Sequence, residues 1–344
     1  MKLTRKAMII LLTVMLLFPA GCQKQNPIVK IKTLTIAMAP TSDPETLSAA
    51  GQPLGKLIQE KLLAHGYEVG EVIVLVGSSN DAVLEGLGNG NVDIAIVPSS
   101  TYGLSYSTKY RPILVGLSNQ KMPDDVTIKD IYAEELPSYE DGNYAKYRRS
   151  CLYVNVNTET GRKLLEKAEQ GSLTLDDLNA VRWSVGAPSD EIGYIYPSAW
   201  LTRMFGSSAK LSALQNANSY GSDYDNITAL LKGETDIITG SADLRDQTTS
   251  QTAFRIQYPN LATKGETVYD AVRIIGMSAP VINQLIMASS NKKMTNELIG
   301  CLQELFVEVM KSGEGEKCLS ILGLKGFAPC TEDELGTVKE VYGK

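Results

Sequence analysis

Residues 92–106, VDIAIVPSSTYGLSY, decide the reading of the fold. Val92, Ile94, Ala95, Ile96 and Val97 form a near-continuous apolar run directly after the turn Gly88-Asn89-Gly90-Asn91. Such a run, set between helical patterns, reads as a short strand covered on both faces of a parallel sheet. It stops at Pro98 and gives way to Ser99, Ser100, Thr101 and Tyr102. In open α/β sheets ligands sit just beyond the carboxyl ends of strands. The hydroxyl-rich stretch is therefore either a ligand-facing loop or an ordinary polar one.

Working outward, residues 33–38 form a strand that ends in Ala39-Pro40-Thr41-Ser42-Asp43-Pro44. A helical pattern follows through Leu47, Leu54, Leu57, Ile58, Leu62 and Leu63, closed by His65-Gly66, with glycine the expected terminator. A strand at 72–76 and a helix from Ser79 to Leu87 lead back to the opening run. Beyond it come a strand at 110–117 and a polar inserted region at 119–149, broken by Pro123 and Pro137. Further strands are expected at 151–155, 183–186, 235–239 and 273–277. Helices are expected at 160–170, 195–205 and 224–232, and over most of the tail from Asn296. Strands alternating with helices mean βαβ units and parallel sheets.

The pattern repeats. Ser79, Leu84, Leu87, Gly90, Asp93 and Ile94 recur at one constant spacing as Ser222, Ile227, Leu230, Gly233, Asp236 and Ile237. Ala39-Pro40-Thr41 has an echo in Ala187-Pro188-Ser189. The repeat predicts two similar α/β lobes facing one another across a cleft, with crossings near 117–120 and 255–275. The lobes divide as 33–118 with 270–344, and 119–269.

The 344 residues exceed a comfortable single core, which agrees with two lobes. The net charge of −6 includes a basic N-terminal patch, Lys2, Arg5 and Lys6, so the rest of the chain is acidic, which argues against nucleic acid as a partner. That patch precedes the apolar stretch 7–18, short for a membrane span, and then Pro19-Ala20-Gly21-Cys22. The expectation is a signal peptide over 1–21, lipidation at Cys22 and a polar linker over 22–32. The protein then works outside the cytoplasm on a lipid tether, in a periplasm or on the outer face of the cytoplasmic membrane. Cys151, Cys301, Cys318 and Cys330 lack metal-ligand spacing; Cys318 and Cys330 either form a disulfide or stay as buried thiols.

Catalytic chemistry is thinly represented. The one histidine, His65, sits at a helix end, which leaves no Ser–His–Asp or Cys–His system and no histidine metal site. There is no P-loop and no GxGxxG motif, and no cofactor is expected. Binding is the remaining reading. The loop Ala187-Pro188-Ser189-Asp190-Glu191-Ile192-Gly193 runs from a strand toward a helix. Its amides would attract an anion, yet Asp190 and Glu191 already stand there. They are either helix-start residues or an acidic wall for an amine. Asp223 before the next helix allows the same two readings.

These motifs carry a family resemblance. IAMAPTSDPETL, PLGKLIQEKL, NGNVDIAIVPSSTYGLS, YRRSCLYVN and APVINQLIMAS occur in order over most of 33–325. Together they resemble the solute-binding proteins of phosphonate, phosphite and phosphate ABC importers. The resemblance implies a type II periplasmic-binding-protein fold, in which each lobe is a mainly parallel sheet flanked by helices, with a two-strand hinge. It further implies a monomeric, non-enzymatic protein that traps a small solute by closure and delivers it to an ABC permease. Thr101 and Tyr102 match the family's serine–tyrosine pair. The Ser-Thr-Ser-Gly that holds phosphonate oxygens stands here as Asp190-Glu191-Ile192-Gly193, Gly-Ser-His as Gly221-Ser222-Asp223, and Asp-Tyr as Ser79-Asn80. Three carboxylates in place of hydroxyl and imidazole donors would repel a dianion. The expected ligand set is Pro40, Thr41, Ser79, Asn80, Ser100, Thr101 and Tyr102 from lobe one, with Asp190, Glu191, Tyr194, Asp223 and Tyr224 from lobe two. The ligand is then not a simple phosphonate. The alternatives are a phosphate or phosphonate binder with a shifted site, and a sensor or scaffold subunit for a membrane receptor.

Overall fold

The computed structural model describes residues 28–41, 43–105, 107–119, 144–219 and 222–342. Cys22, the signal segment and most of the 119–149 insert lie outside the described residues. No helix among those described is long and apolar enough to cross a membrane.

The first sheet is built from β1 (Val29–Met38), β2 (Tyr67–Val76), β3 (Ile94–Val97) and β4 (Tyr110–Asn119), with the short β5 (Tyr144–Ala145) on β4. Between the two sheets lies β6 (Tyr147–Arg148). The second sheet takes β7 (Ser150–Asn155), β8 (Trp183–Val185), β9 (Ala217–Ser219), β10 (Ile237–Ser241) and β11 (Val272–Met277). The chain then returns through β12 (Val281–Ile282) to β13 (Leu285–Ser289) and β14 (Gly326–Pro329), both in the first sheet. The orders are β14-β4-β13-β3-β1-β2 and β11-β7-β10-β8-β9. Each contains a parallel trio, β2-β1-β3 or β9-β8-β10, followed by an antiparallel strand, β13 or β7.

The opening stretch shows why β3 carries no polar face. Ile94 and Ile96 enter one core with Leu34, Ile36 and Met38, while Ala95 and Val97 enter a second with Ala37 and Tyr102. Alternate side chains of a strand point to opposite faces, and here helices cover both. The second sheet is sandwiched in the same way. Cys151 and Tyr153 pack on one face, and Leu152 and Val154 on the other.

The sequence repeat has a structural basis. Ser79 and Ser222 are helix N-caps, accepting from Ala82 N at 3.1 Å and Asp225 N at 3.2 Å. Gly90 and Gly233 end those helices in the left-handed region, φ +82° and +72°, where a Cβ is strained. Asp93 then accepts the Thr35 N–H at 2.8 Å, and Asp236 accepts the Arg182 N–H at 2.9 Å. Each repeated aspartate thus fastens the start of its own strand to the neighbouring parallel strand, within β1 for Asp93 and just before β8 for Asp236. Lys293 neutralises Asp93, and Arg182 neutralises Asp236.

Two expectations are corrected, and one open alternative is decided. Residues 99–104 are a helix, Ser99–Leu104, and not a loop; the apolar surfaces of Tyr102 and Gly103 pack inward, and the hydroxyls come with them. The second crossing is not at 255–275, which supplies helices and β11 to the second sheet. It lies at 278–280, beyond residue 269, where the return to lobe one was expected. There β6 and β12 pair antiparallel between the lobes, and Asn283 ties the crossing strands by donating to Gly116 O and Ala145 O, each at 2.9 Å. Cys318 and Cys330 are free, one in each core on opposite faces of the first sheet, so the sheet separates them.

Candidate ligand site

The first lobe offers the carboxyl ends of its parallel strands. Pro40 and Thr41 follow β1, with the Thr41 side chain exposed. Ser79 and Asn80 open the helix after β2, and the Ser79 hydroxyl is taken by its capping bond. The helix after β3 places Ser100 at its first turn. Thr101 and Tyr102 are 3% and 0% exposed, and the Tyr102 ring lies in the core with Lys339 Nζ 5.8 Å from its centroid. Of the hydroxyl stretch, Ser100 is the member that reaches the other lobe, and it does so through its backbone.

In the second lobe, β8 delivers the loop 186–190 into a single π-helical turn, Glu191–Ile195. Asp190 caps that turn, its Oδ1 accepting from Ile192 N at 2.9 Å. Its Oδ2 lies in a notch made by Gly186 and Gly193, where a Cβ on either would come within 2.5 Å of it. The two glycines are bound to each other, Gly186 N donating to Gly193 O at 3.0 Å. Thr239 from β10 donates to the same carbonyl at 2.7 Å. The notch therefore fixes one carboxylate at the carboxyl edge of the sheet.

Asp190 and Asp223 line one cavity of about 540 Å³ together with Arg148, Asn226, Thr239 and Ser241. Withdrawal from water pushes the Asp223 carboxyl above the usual carboxylate range, and the negative charge of Asp190 pushes it further; a 3.3 Å hydrogen bond from Gln247 opposes both. The two acids thus feel each other. Among the described residues no group of three or more His, Cys, Asp or Glu side chains is placed to hold a metal ion.

Glu191 turns away from that cavity. Its Oε1 accepts the Ser100 N–H of the first lobe at 3.1 Å, and its Oε2 lies 3.9 Å from Arg148. Burial raises the hydroxyl pKa of Tyr196 and Tyr342, and the Glu191 charge raises both further. Tyr194 is half-buried against the core of lobe two, and Tyr224 is 42% exposed; neither lines the cavity. The expected set is therefore split into Asp190 and Asp223 in the lobe-two cavity, Glu191 and Ser100 across the cleft, Pro40, Thr41, Ser79 and Asn80 after the lobe-one strands, and Thr101 and Tyr102 buried in lobe one. Arg148 and Asn226 were not anticipated. Asn226 lies one helical turn from Asp223, a spacing that could have revealed it; Arg148 sits in the aperiodic insert, which carries no such signal.

Residues 36–335 match the family model described as ABC transporter, phosphonate, periplasmic substrate-binding protein. No curated protein matches the sequence. Among solved structures the chain is similar to Mh-p37 of Mycoplasma hyorhinis, for which thiamine pyrophosphate transport has been suggested. That match has 14% identity and a TM-score of 0.61, covering 91% of this chain and 99% of that one. It is also similar to XAC2383 from Xanthomonas citri bound to ATP, with 13% identity and a TM-score of 0.55, covering 91% and 96%. At these identities the likeness is one of fold, the two-lobed binding-protein architecture. The matched span takes in both sheets and the paired strands between them, and the chain belongs to the family of phosphonate-type periplasmic substrate-binding proteins of ABC transporters, non-enzymatic transport components that work with a membrane permease.

Proposed function

We propose that this protein is a lipid-anchored, extracytoplasmic and monomeric receptor for a small solute bearing a cationic nitrogen, which it hands to an ABC permease. Cys22 is the lipidation site and 1–21 the signal peptide. The lobes are 33–118 with the C-terminal segment, and the region between. The observation that carries the ligand reading is the division of labour among the three acids. Glu191 answers the amide of Ser100, while Asp190 and Asp223 share a cavity with unspent acceptor capacity.

A phosphonate dianion entering that cavity meets two like charges and is repelled by both. An ammonium offers donors and positive charge to both carboxylates. Bound there, it offsets the repulsion between Asp190 and Asp223. Pro40, Thr41, Ser79, Asn80 and Ser100 supply the opposing wall. Closure about β6 and β12 completes the enclosure, and a ligand touching both lobes shifts the open–closed equilibrium toward closed.

A thermal-shift screen of the full chain against amines, amino acids, nucleosides and phosphonates tests the reading. Stabilisation by nitrogen cations and none by methylphosphonate is expected. Stabilisation by methylphosphonate alone overturns it.

A further inference from the structure

We infer that the solute is a zwitterion, with an ammonium and a carboxylate on one small skeleton, whose acidic end is held by Arg148 and Asn226. The inference rests on the cationic reading above and extends it. Asn226 is 4% exposed and lines the cavity beside Asp223. Its Oδ1 accepts from the buried Ser184 hydroxyl, which fixes the amide and leaves Nδ2 available to donate. Among the described residues nothing accepts from that nitrogen. An amide NH2 has two donors, and a ligand oxygen in the cavity can accept from them.

Arg148 borders the same cavity from β6, the hinge strand. Its ion-pair partner among the described residues is Glu191 at 3.9 Å, beyond hydrogen-bonding range, and its side chain is 45% exposed. A guanidinium has five donors in a planar fork suited to a carboxylate. The cavity thus presents two kinds of chemistry. Asp190 and Asp223 are acceptors, and Arg148 and Asn226 are donors. A simple amine satisfies the first pair and strands the second in a closed cleft. A simple anion does the reverse. A molecule with both groups satisfies all four, and Arg148 then couples its acidic end to the strand about which the lobes close.

Titration calorimetry of the full chain with the twenty amino acids and with the amines obtained by removing their carboxyl groups (L-lysine against cadaverine, L-arginine against agmatine, L-alanine against ethylamine) tests this, with methylphosphonate as the anion. The preferred amino acid is expected to bind at least 10-fold tighter than its matched amine. Arg148→Gln should reduce that preference to under 3-fold, with Arg148→Lys retaining part of it; the melting temperature of each variant reports that it is folded. Equal binding of amino acid and amine, or a preference that Arg148→Gln leaves intact, overturns the zwitterion inference and leaves the cationic reading standing. Binding of methylphosphonate alone, or of none of the three classes, overturns both.

Discussion

The carboxylate of Glu191 on the second lobe accepts the backbone N–H of Ser100 on the first, at 3.1 Å. Exposed amides at a helix start draw negative charge, and here the protein supplies that charge itself. The contact links the lobes directly and occupies the Ser100 amide.

Glu191→Ala is expected to loosen the ligand-free protein. A hydrogen bond to a charged group contributes about 1.5–3 kcal/mol, and each kcal/mol moves the melting temperature by about 2–4 °C in a domain of this size. Calorimetry should show a drop of a few degrees, and small-angle scattering a larger radius of gyration. Glu191→Gln, which keeps an acceptor, should lose less. An unchanged radius in Glu191→Ala would mean that the contact does not hold the lobes together.

Affinity for a cation should weaken on acidification earlier than an ordinary carboxylate would allow. Asp223 is raised by burial and by Asp190, so the unliganded protein takes up its proton above the usual carboxylate range, and the ammonium must compete with that proton. The sign for stability follows from the same shift. A raised carboxyl favours the folded state when protonated, and that benefit is lost as pH rises from the ordinary range through the raised value. The stability of wild type relative to Asp223→Asn should therefore fall over this window. A difference that grows with pH would contradict the assignment.

In lobe two, Arg245 is fully buried and donates to Asp243 at 2.6 Å and to Val272 O at 3.1 Å, with its guanidinium 4.9 Å from the Tyr269 ring centroid. Removing one partner of such a pair strands the other charge in the core, at a cost of about 3–5 kcal/mol. Asp243→Ala and Arg245→Ala should each lose that much in urea unfolding. The double substitution Asp243→Asn with Arg245→Met should lose less than the sum of the two. Additive losses would show that the pair is not coupled.

Burial raises the thiol pKa to about 12 for Cys151, about 12 for Cys330 and about 11 for Cys301, and moves Cys318 upward as well. Since the thiolate is the reactive form, all four should resist a thiol reagent in the native protein and react once guanidinium unfolds it. Only two reacting after unfolding without reductant would reveal a disulfide.

What the sequence made legible was what depends on period and local chemistry. The apolar run at Ile94–Val97, the caps at Ser79 and Ser222, and the glycines at 90 and 233 all announce themselves, and their repetition implies two lobes. The repeated Asp93 and Asp236 were visible as a motif, though their work, fastening a neighbouring strand, needed the pairing partners Thr35 and Arg182. Side-chain direction was not legible. Asp190 and Glu191 are adjacent and chemically alike, yet one enters the cavity and the other crosses the cleft, because a π-helical turn begins between them. The hydroxyls of Thr101 and Tyr102 read as loop polarity until a helix turned them inward. Arg148 reaches the site from a two-residue strand whose partner, Val281–Ile282, is distant in sequence.

The most direct test of the central claim is the calorimetric affinity of the full chain and of Asp190→Asn with Asp223→Asn for the tightest nitrogen cation and for methylphosphonate. Each lost charge-assisted contact is worth about 1.5–3 kcal/mol, or roughly 10- to 100-fold in affinity. The account predicts that wild type binds the cation and not methylphosphonate, and that the double variant loses cation binding by at least 100-fold. Tight methylphosphonate binding by wild type, or cation binding that survives in the double variant, would contradict it.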